Sequence, residues 1–206
     1  MTTPLSPPPP PPPSAVTRTP LHTRAVTYRG FARDDGLWDI EGHMRDTKDY
    51  AMERHGNATL PPGSPAHDMF IRVTLDDALK IVDIQTDMTA TPFGGCHDAA
   101  EPMRRLIGAT LGRGWRKAID AAIGGVGGCT HLRELLFNLA TAAMQTIPPY
   151  QNHLKGLQRQ PAKPGDEAPH FIGKCMSWRR DGPEVRRFYP MLFVDRSGPA
   201  TEPETP

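Results

Sequence analysis

The sequence predicts an α+β fold in which an antiparallel sheet, built from N-terminal hairpins, is packed on one face by three helices. Strand-like patterns run from Arg24 to Thr89, and helical periodicity follows from Asp98 to Met144. Because strands and helices are segregated along the chain instead of alternating, an antiparallel sheet is favoured over a parallel one.

Both ends of the 206-residue chain differ in composition from its middle. The 24 prolines include an unbroken run from Pro7 to Pro13, which favours an extended polyproline II segment. We therefore predict a disordered proline-rich tail over 1–22, a single domain over 23–195 and a second disordered tail over 196–206. The alternative role for the first tail is a weak docking segment for an aromatic groove on a partner.

Charge and cysteine content argue against several classes of protein. A net charge of +1 argues against a protein that binds nucleic acid or membrane surfaces through charge. No apolar run approaches the roughly 20 residues that a membrane-spanning helix needs. The sequence shows no signal-peptide pattern, and 3 cysteines are too few for a disulfide framework. We expect a cytoplasmic protein with reduced thiols.

Two hairpins account for the predicted sheet. Alternating apolar residues flank an Asp-Gly turn in the first hairpin and an Asp-Asp turn in the second. The predicted strands are 24–32 and 37–46 in the first hairpin, and 69–75 and 79–89 in the second. Glu41 and His43 share one face of the first hairpin, where we expect solvent or a sheet edge.

Three helices and a last hairpin complete the prediction. The first helix begins at Asp98 as N-cap, with Pro102 near its first turn. The second helix shows apolar residues at i, i+3, i+4 and i+7 from Trp115. The third runs from Leu132 through Met144 with a 3.6-residue period, and the pair Pro148-Pro149 is expected to end it. The segments 171–178 and 185–194 flank Asp181-Gly182 and predict a C-terminal hairpin.

Candidate site residues cluster near the predicted helix starts. Cys96 and Cys129 both lie at a helix N-terminus, where the positive end of the helix dipole favours the thiolate form. Each has a nearby histidine, His97 or His131. Four ligands drawn from these residues, His67, Asp68 and Cys175 would suit tetrahedral zinc or an iron–sulfur centre. In this hypothesis the cysteines are anionic ligands, the histidines neutral ligands, and Asp68 orients a ligand or binds weakly.

Two other functions fit the same residues. A cysteine-dependent enzyme would use a thiolate nucleophile with a histidine base: Cys129 with His131, or Cys96 with His131 oriented by Asp68. A non-catalytic interaction module would present the hairpin around Trp38 to a partner. Free cysteines also commonly fill small buried positions without any chemical role.

Several short motifs resemble a known bacterial family. They are the string from Arg33 to Gly42, Asp46-Thr47-Lys48, His67-Asp68-Met69 and the segment from Gly128 to Leu132. Together they resemble the family catalogued as domain of unknown function 2889, over about residues 20–195. The family name implies no activity.

From Pro65 to Met144 the order of elements is similar to that of the NifU-like iron–sulfur scaffold proteins. His67 and Asp68 match the first ligand loop of those proteins, Gly95-Cys96 matches the loop that opens a helix, and Cys129 matches the start of the last amphipathic helix. The resemblance implies a NifU-like core and a sulfur-handling or metal-binding site. It implies metal binding through Cys96, Cys129 and His131.

Overall fold

The computed structural model describes residues 12–54, 58–154, 156, 168–169 and 171–195. The chain divides into two compact units, Met1–Tyr150 and Gln151–Pro206. The single domain that we predicted over 23–195 spans both units. The predicted tail over 196–206 lies outside the described residues, and so does the first half, residues 1–11, of the predicted tail over 1–22.

The described residues of the first unit form six strands in two sheets. In chain order they are β1 (His22–Ala32), β2 (Trp38–Lys48), β3 (Met52–Glu53), β4 (Thr59–Leu60), β5 (Pro65–Leu75) and β6 (Ile81–Ala90). Four of them make an antiparallel sheet in the order β1-β2-β5-β6, so the two predicted hairpins lie side by side. Strands β3 and β4 pair in a small second sheet. The α+β class and the antiparallel sheet are confirmed.

The four-stranded sheet has two chemically different faces. Its core face carries Ile40, Met44, Met69 and Ile71, all essentially fully buried. The intervening residues of β2 and most of those of β5 are half-buried or exposed and form the outer face, because successive side chains of a strand point to opposite sides. One face packed and one face polar is the usual arrangement for an antiparallel sheet.

Two helices of the first unit contribute to the same core. Helix α1 (Trp115–Ile123) and helix α2 (Thr130–Leu154) bury apolar side chains at helical spacing, and the Trp115 indole N–H donates to the Leu136 carbonyl at 2.9 Å. These are the second and third predicted helices, and both are confirmed. Within the described part of the chain, no helix is long and apolar enough to cross a membrane.

The first predicted helix is wrong. Its residues form two short 3-10 segments, Gly94–Ala99 and Glu101–Leu106, and Asp98 lies inside the first segment instead of capping a helix. Pro102 lacks a backbone N–H, so an α-helical hydrogen bond is lost where the second segment begins. The three glycines that follow all have positive φ, which stops the helix from continuing: Gly108, Gly112 and Gly114.

The predicted end of the third helix is also wrong, because α2 continues past Pro148 and Pro149 to Leu154. Each proline removes one backbone donor, which normally breaks a helix. Packing on both sides of the pair offsets this cost. Ile147 is fully buried, and Tyr150 contacts Trp38 edge-to-face with ring centroids 5.9 Å apart.

The second unit contains no strand among its described residues, so the predicted C-terminal hairpin is wrong. The unit has one short helix, α3 (Pro183–Phe188), and a 3-10 turn, Pro190–Leu192. Its small core consists of apolar residues joined by aromatic contacts: Ile172, Val185 and Tyr189, with Phe171 and Trp178 packed beside them. Val185, Phe188, Tyr189 and Leu192 have a helical spacing, which the expectation of alternating strands overlooked.

Candidate metal centre

The site begins with a buried carboxylate on the core face of the sheet. Asp46 continues the inward-pointing series of Ile40 and Met44 on β2, and only 4% of its side chain is exposed. Its direct neighbours in the sheet are Arg24 on β1 and His67 on β5. A buried carboxylate is unfavourable unless it is paired and hydrogen-bonded, so its partners define the chemistry of this region.

Both oxygens of Asp46 are fully hydrogen-bonded. Arg24 donates from Nε to Oδ1 at 2.8 Å and from Nη2 to Oδ2 at 2.9 Å. His22 Nε2 lies 3.0 Å from Oδ1, and His67 Nδ1 lies 3.1 Å from Oδ2. Burial alone would raise the pKa of Asp46, but the hydrogen bonds from Arg24 and His22 hold it well below its usual value. Glu134 accepts a further hydrogen bond from Arg24 Nη1 at 2.6 Å.

Helix α2 places a second imidazole, that of His131, beside Asp46 and His67. His131, in the first turn of α2, contacts His67 with ring centroids 4.1 Å apart and ring planes tilted by 43°. Asp46, His67 and His131 each offer one ligand atom, and the three atoms lie within 4.8 Å of one another. Burial lowers the pKa of both histidines; the charge of His131 adds to this for His67, and the charge of Arg24 for His131. Both imidazoles are therefore neutral at neutral pH, the form that binds a metal.

Two of the predicted cysteines lie on one side of this cluster. Cys129, directly before α2, is half-buried, and its Sγ lies 3.8 Å from His131 Nδ1. A cavity of about 430 Å³ is lined by Cys129, Cys96 and the glycine-rich turn between α1 and α2. The structure thus brings Cys129, His131 and His67 together, with Cys96 on the wall of the adjoining cavity.

Two other predicted residues lie elsewhere. Asp68 follows His67 on β5 and therefore points to the outer face, where its carboxylate lies 2.6 Å from His43 Nε2. Cys175 is an exposed residue of the second unit. The hairpin around Trp38 offers no exposed indole to a partner, since Trp38 is 6% exposed and its Nε1 donates to Asp77 at 2.9 Å.

Asp46 is the residue that the sequence analysis missed. The signal available was its even-numbered position on a strand whose preceding even-numbered residues are apolar, which predicts an inward-pointing carboxylate. The register that places it beside Arg24 and His67 depends on long-range pairing and cannot be seen in the strand itself.

Comparison with known proteins places the chain in a family without assigning it an activity. No curated protein and no solved structure matches it, so the likeness to NifU-like scaffolds stays a prediction. The family model described as "Protein of unknown function (DUF2889)" matches residues 22–145, which include Asp46, His67, Cys129 and His131. The chain therefore belongs to the DUF2889 family.

Proposed function

We propose that this protein binds a divalent transition-metal ion of the zinc class through Asp46, His67 and His131. The observation that carries the proposal is the grouping of three donor atoms within 4.8 Å of one another, two of them from neutral imidazoles. The 3.1 Å between Asp46 Oδ2 and His67 Nδ1 is close to the roughly 3.3 Å that separates two ligands placed about 2.0–2.1 Å from one tetrahedral ion.

The donor set favours zinc or iron(II) over an iron–sulfur centre. Two imidazole nitrogens and a carboxylate oxygen suit Zn²⁺ or non-haem Fe²⁺, whereas iron–sulfur clusters are held mainly by thiolates. Cys129 is the one thiol with a recorded contact to a cluster member among the described residues. A sulfur-handling role, as the NifU-like resemblance implies, would need Cys96 to move into the site from the adjoining cavity.

Cys129 decides what kind of metal site this is. Its 3.8 Å separation from His131 Nδ1 is slightly longer than the spacing of sulfur and nitrogen ligands on one zinc ion, about 3.5 Å. With Cys129 as fourth ligand the site is closed and structural. Without it, one coordination position is left for water, as in hydrolytic zinc sites.

Metal titration tests the proposal directly. We expect the chelator-treated protein to bind about one equivalent of Zn²⁺ by calorimetry. His67→Ala and His131→Ala should each weaken binding by about a hundredfold or more, because each removes a ligand, and even outer-shell partners are worth 10–100-fold. In the Co²⁺-loaded protein, a sulfur-to-cobalt charge-transfer band that disappears in Cys129→Ala identifies the closed site.

His43→Ala is the matched control for this titration. His43 lies on the outer face of the same sheet, where it pairs with Asp68, so its loss should leave Zn²⁺ affinity unchanged. Folding of each variant is checked by circular dichroism. Equal affinity in wild type, His67→Ala and His131→Ala would exclude this metal site.

A second function is favoured by the contact between Cys129 and His131. A thiol beside an imidazole at the start of α2, open to a cavity, is the arrangement of a cysteine nucleophile with its base. Rapid alkylation of Cys129 at neutral pH in the metal-free protein, slowed in His131→Ala, would favour this enzyme function. Slow alkylation together with tight Zn²⁺ binding would favour the metal site.

A further inference from the structure

The outer face of the sheet contains a second cavity that the metal site does not use. It encloses about 400 Å³ and takes two lining residues from each of the four strands. This volume falls in the usual range for small-ligand sites. It lies on the opposite side of the sheet from Asp46 and His67, because Asp68 and Phe70 alternate with the core-facing residues of β5.

Most charges in this cavity are already compensated within the protein. Glu41 accepts two hydrogen bonds from Arg72, the shorter at 2.6 Å. Asp68 pairs with His43 at 2.6 Å and with Arg45 at 3.8 Å. These pairs fix the centre of the cavity and leave little charge there for a ligand.

Two lining residues have no such compensation. Within the described part of the chain, neither Arg29 on β1 nor Asp87 on β6 makes an ion pair, and both are exposed. They stand on the two edge strands, three inter-strand spacings of about 4.8 Å apart, and the register offsets them by two residues along the strands, so their backbones lie about 16 Å apart. The cavity therefore has an unpaired cation at one end and an unpaired anion at the other.

An aromatic ring lies between these two ends. Phe70 is half-buried and stands directly opposite Asp87 in the sheet register, with His43 on its other side. The Arg72 guanidinium lies 5.6 Å from the Phe70 ring centroid and covers part of the ring. The remaining ring surface offers an apolar contact to the middle of a ligand whose ends are charged.

We propose that this cavity binds a short zwitterionic peptide of about three residues, with its carboxylate at Arg29 and its ammonium group at Asp87. Three extended residues span about 10 Å, and the side chains of Arg29 and Asp87, which reach toward the peptide, cover the rest of the roughly 16 Å. A single amino acid is too short to meet both charges. The body of the peptide lies over Phe70, between the two compensated pairs.

Calorimetry with the tripeptide Gly-Phe-Gly, its N-acetylated form and its C-terminal amide tests this site. We expect saturable binding of Gly-Phe-Gly to the full chain. N-acetylation and Asp87→Asn should each weaken binding about tenfold, because each removes the same charge-assisted hydrogen bond. The C-terminal amide and Arg29→Gln should likewise each weaken binding about tenfold, because each removes the contact between the peptide carboxylate and Arg29. The affinity of the acetylated peptide should be the same for wild type and Asp87→Asn, since this peptide lacks the ammonium group that Asp87 binds.

Asp83→Asn and His67→Ala are the controls. Asp83 lies on β6 outside the cavity, with Arg104 at 3.8 Å, and His67 belongs to the metal site on the other face. Neither substitution should change peptide affinity, so failure of the metal proposal leaves this one untouched. The peptide site is refuted by absence of saturable binding at millimolar peptide, by an equal loss in Asp83→Asn and Asp87→Asn, or by acetylated peptide that still responds to Asp87→Asn.

Discussion

Tyr28 shows how one side chain links the edge strand to the helix that covers the sheet. It lies on the core face of β1, opposite Gly42 on β2, and its hydroxyl donates to the Leu135 carbonyl of α2 at 3.0 Å. Burial raises the pKa of Tyr28 to about 12. The neutral phenol is therefore favoured in the folded protein over the unfolded chain, where the pKa is near 10.

The sign of the resulting pH dependence follows from linkage. The stability that Tyr28 contributes is fully present below pH 10 and is lost as pH rises from about 10 to about 12, because the folded state then holds the proton more tightly. We expect one of the 4 tyrosines to titrate late in the phenolate absorbance, and this late phase to be missing in Tyr28→Phe. A late phase that persists in Tyr28→Phe would assign the buried hydroxyl to another tyrosine.

Membership of the candidate site was predictable for residues whose side-chain type, thiol or imidazole, is suited to binding a metal. Cys129 and His131 stand two residues apart at the start of an amphipathic helix, and both belong to the region of the candidate site. Asp46 was missed and Asp68 chosen instead: Asp46 is the last residue of one predicted strand and Asp68 directly precedes another, so the local sequence does not distinguish them. What separates them is the face of the sheet to which they point, and register with neighbouring strands determines that face.

At the scale of elements, α2 packs tightly against β1 at Gly30. A Cβ atom at this position would collide with the Thr146 side chain, which donates to the Ala142 carbonyl within α2 at 2.9 Å. Glycine is thus required here by the space between strand and helix.

Gly30→Ala tests this approach. We expect it to lower the free energy of unfolding by about 1–3 kcal/mol in urea titrations, the usual cost of an extra methyl group in a packed contact. Gly94→Ala is the matched control, because a Cβ at Gly94 meets nothing within 4 Å. Equal stability of the two variants would show that α2 moves freely away from β1.

Elements with strong local patterns were predicted, and those that depend on neighbours were not. The strands on either side of the two acidic turns and the helix from Leu132 have unambiguous periodicity. Propensity alone would end α2 at Pro148, but packing of Ile147 and Tyr150 overrides it. The high aromatic content of the C-terminal segment favours a strand prediction. Only the spacing of three and four residues between its apolar side chains indicates helix α3.

At the scale of the whole molecule, the chemistry is concentrated in the first unit. Every buried member of the large core precedes Pro148, and the three residues of the candidate metal cluster lie on β2, β5 and α2. The second unit has its own small core around Val185 and Tyr189.

A chain that stops after Leu154 should therefore fold and keep its metal affinity. We expect its helical and strand signal in circular dichroism, and its Zn²⁺ affinity, to match those of the first unit in the full chain, because no residue of the large core and no member of the cluster of Asp46, His67 and His131 is removed. Thermal melts and calorimetry provide the measurement. Loss of cooperative unfolding in the shortened chain would support the single domain predicted over 23–195.

The alternation within β5 has a consequence for how this protein tolerates changes in length. His67 and Asp68 are adjacent, yet one serves the candidate metal cluster and the other lines the outer-face cavity. A one-residue slip of this strand against β2 would turn His67 out to solvent and Asp68 into the apolar interior. Because Met69 and Ile71 are fully buried and hold the rest of β5 in register, deleting Asp68 would turn His67 to the outer face and take the Asp68 carboxylate out of the cavity, so one deletion would damage both sites. Most single substitutions would damage only one.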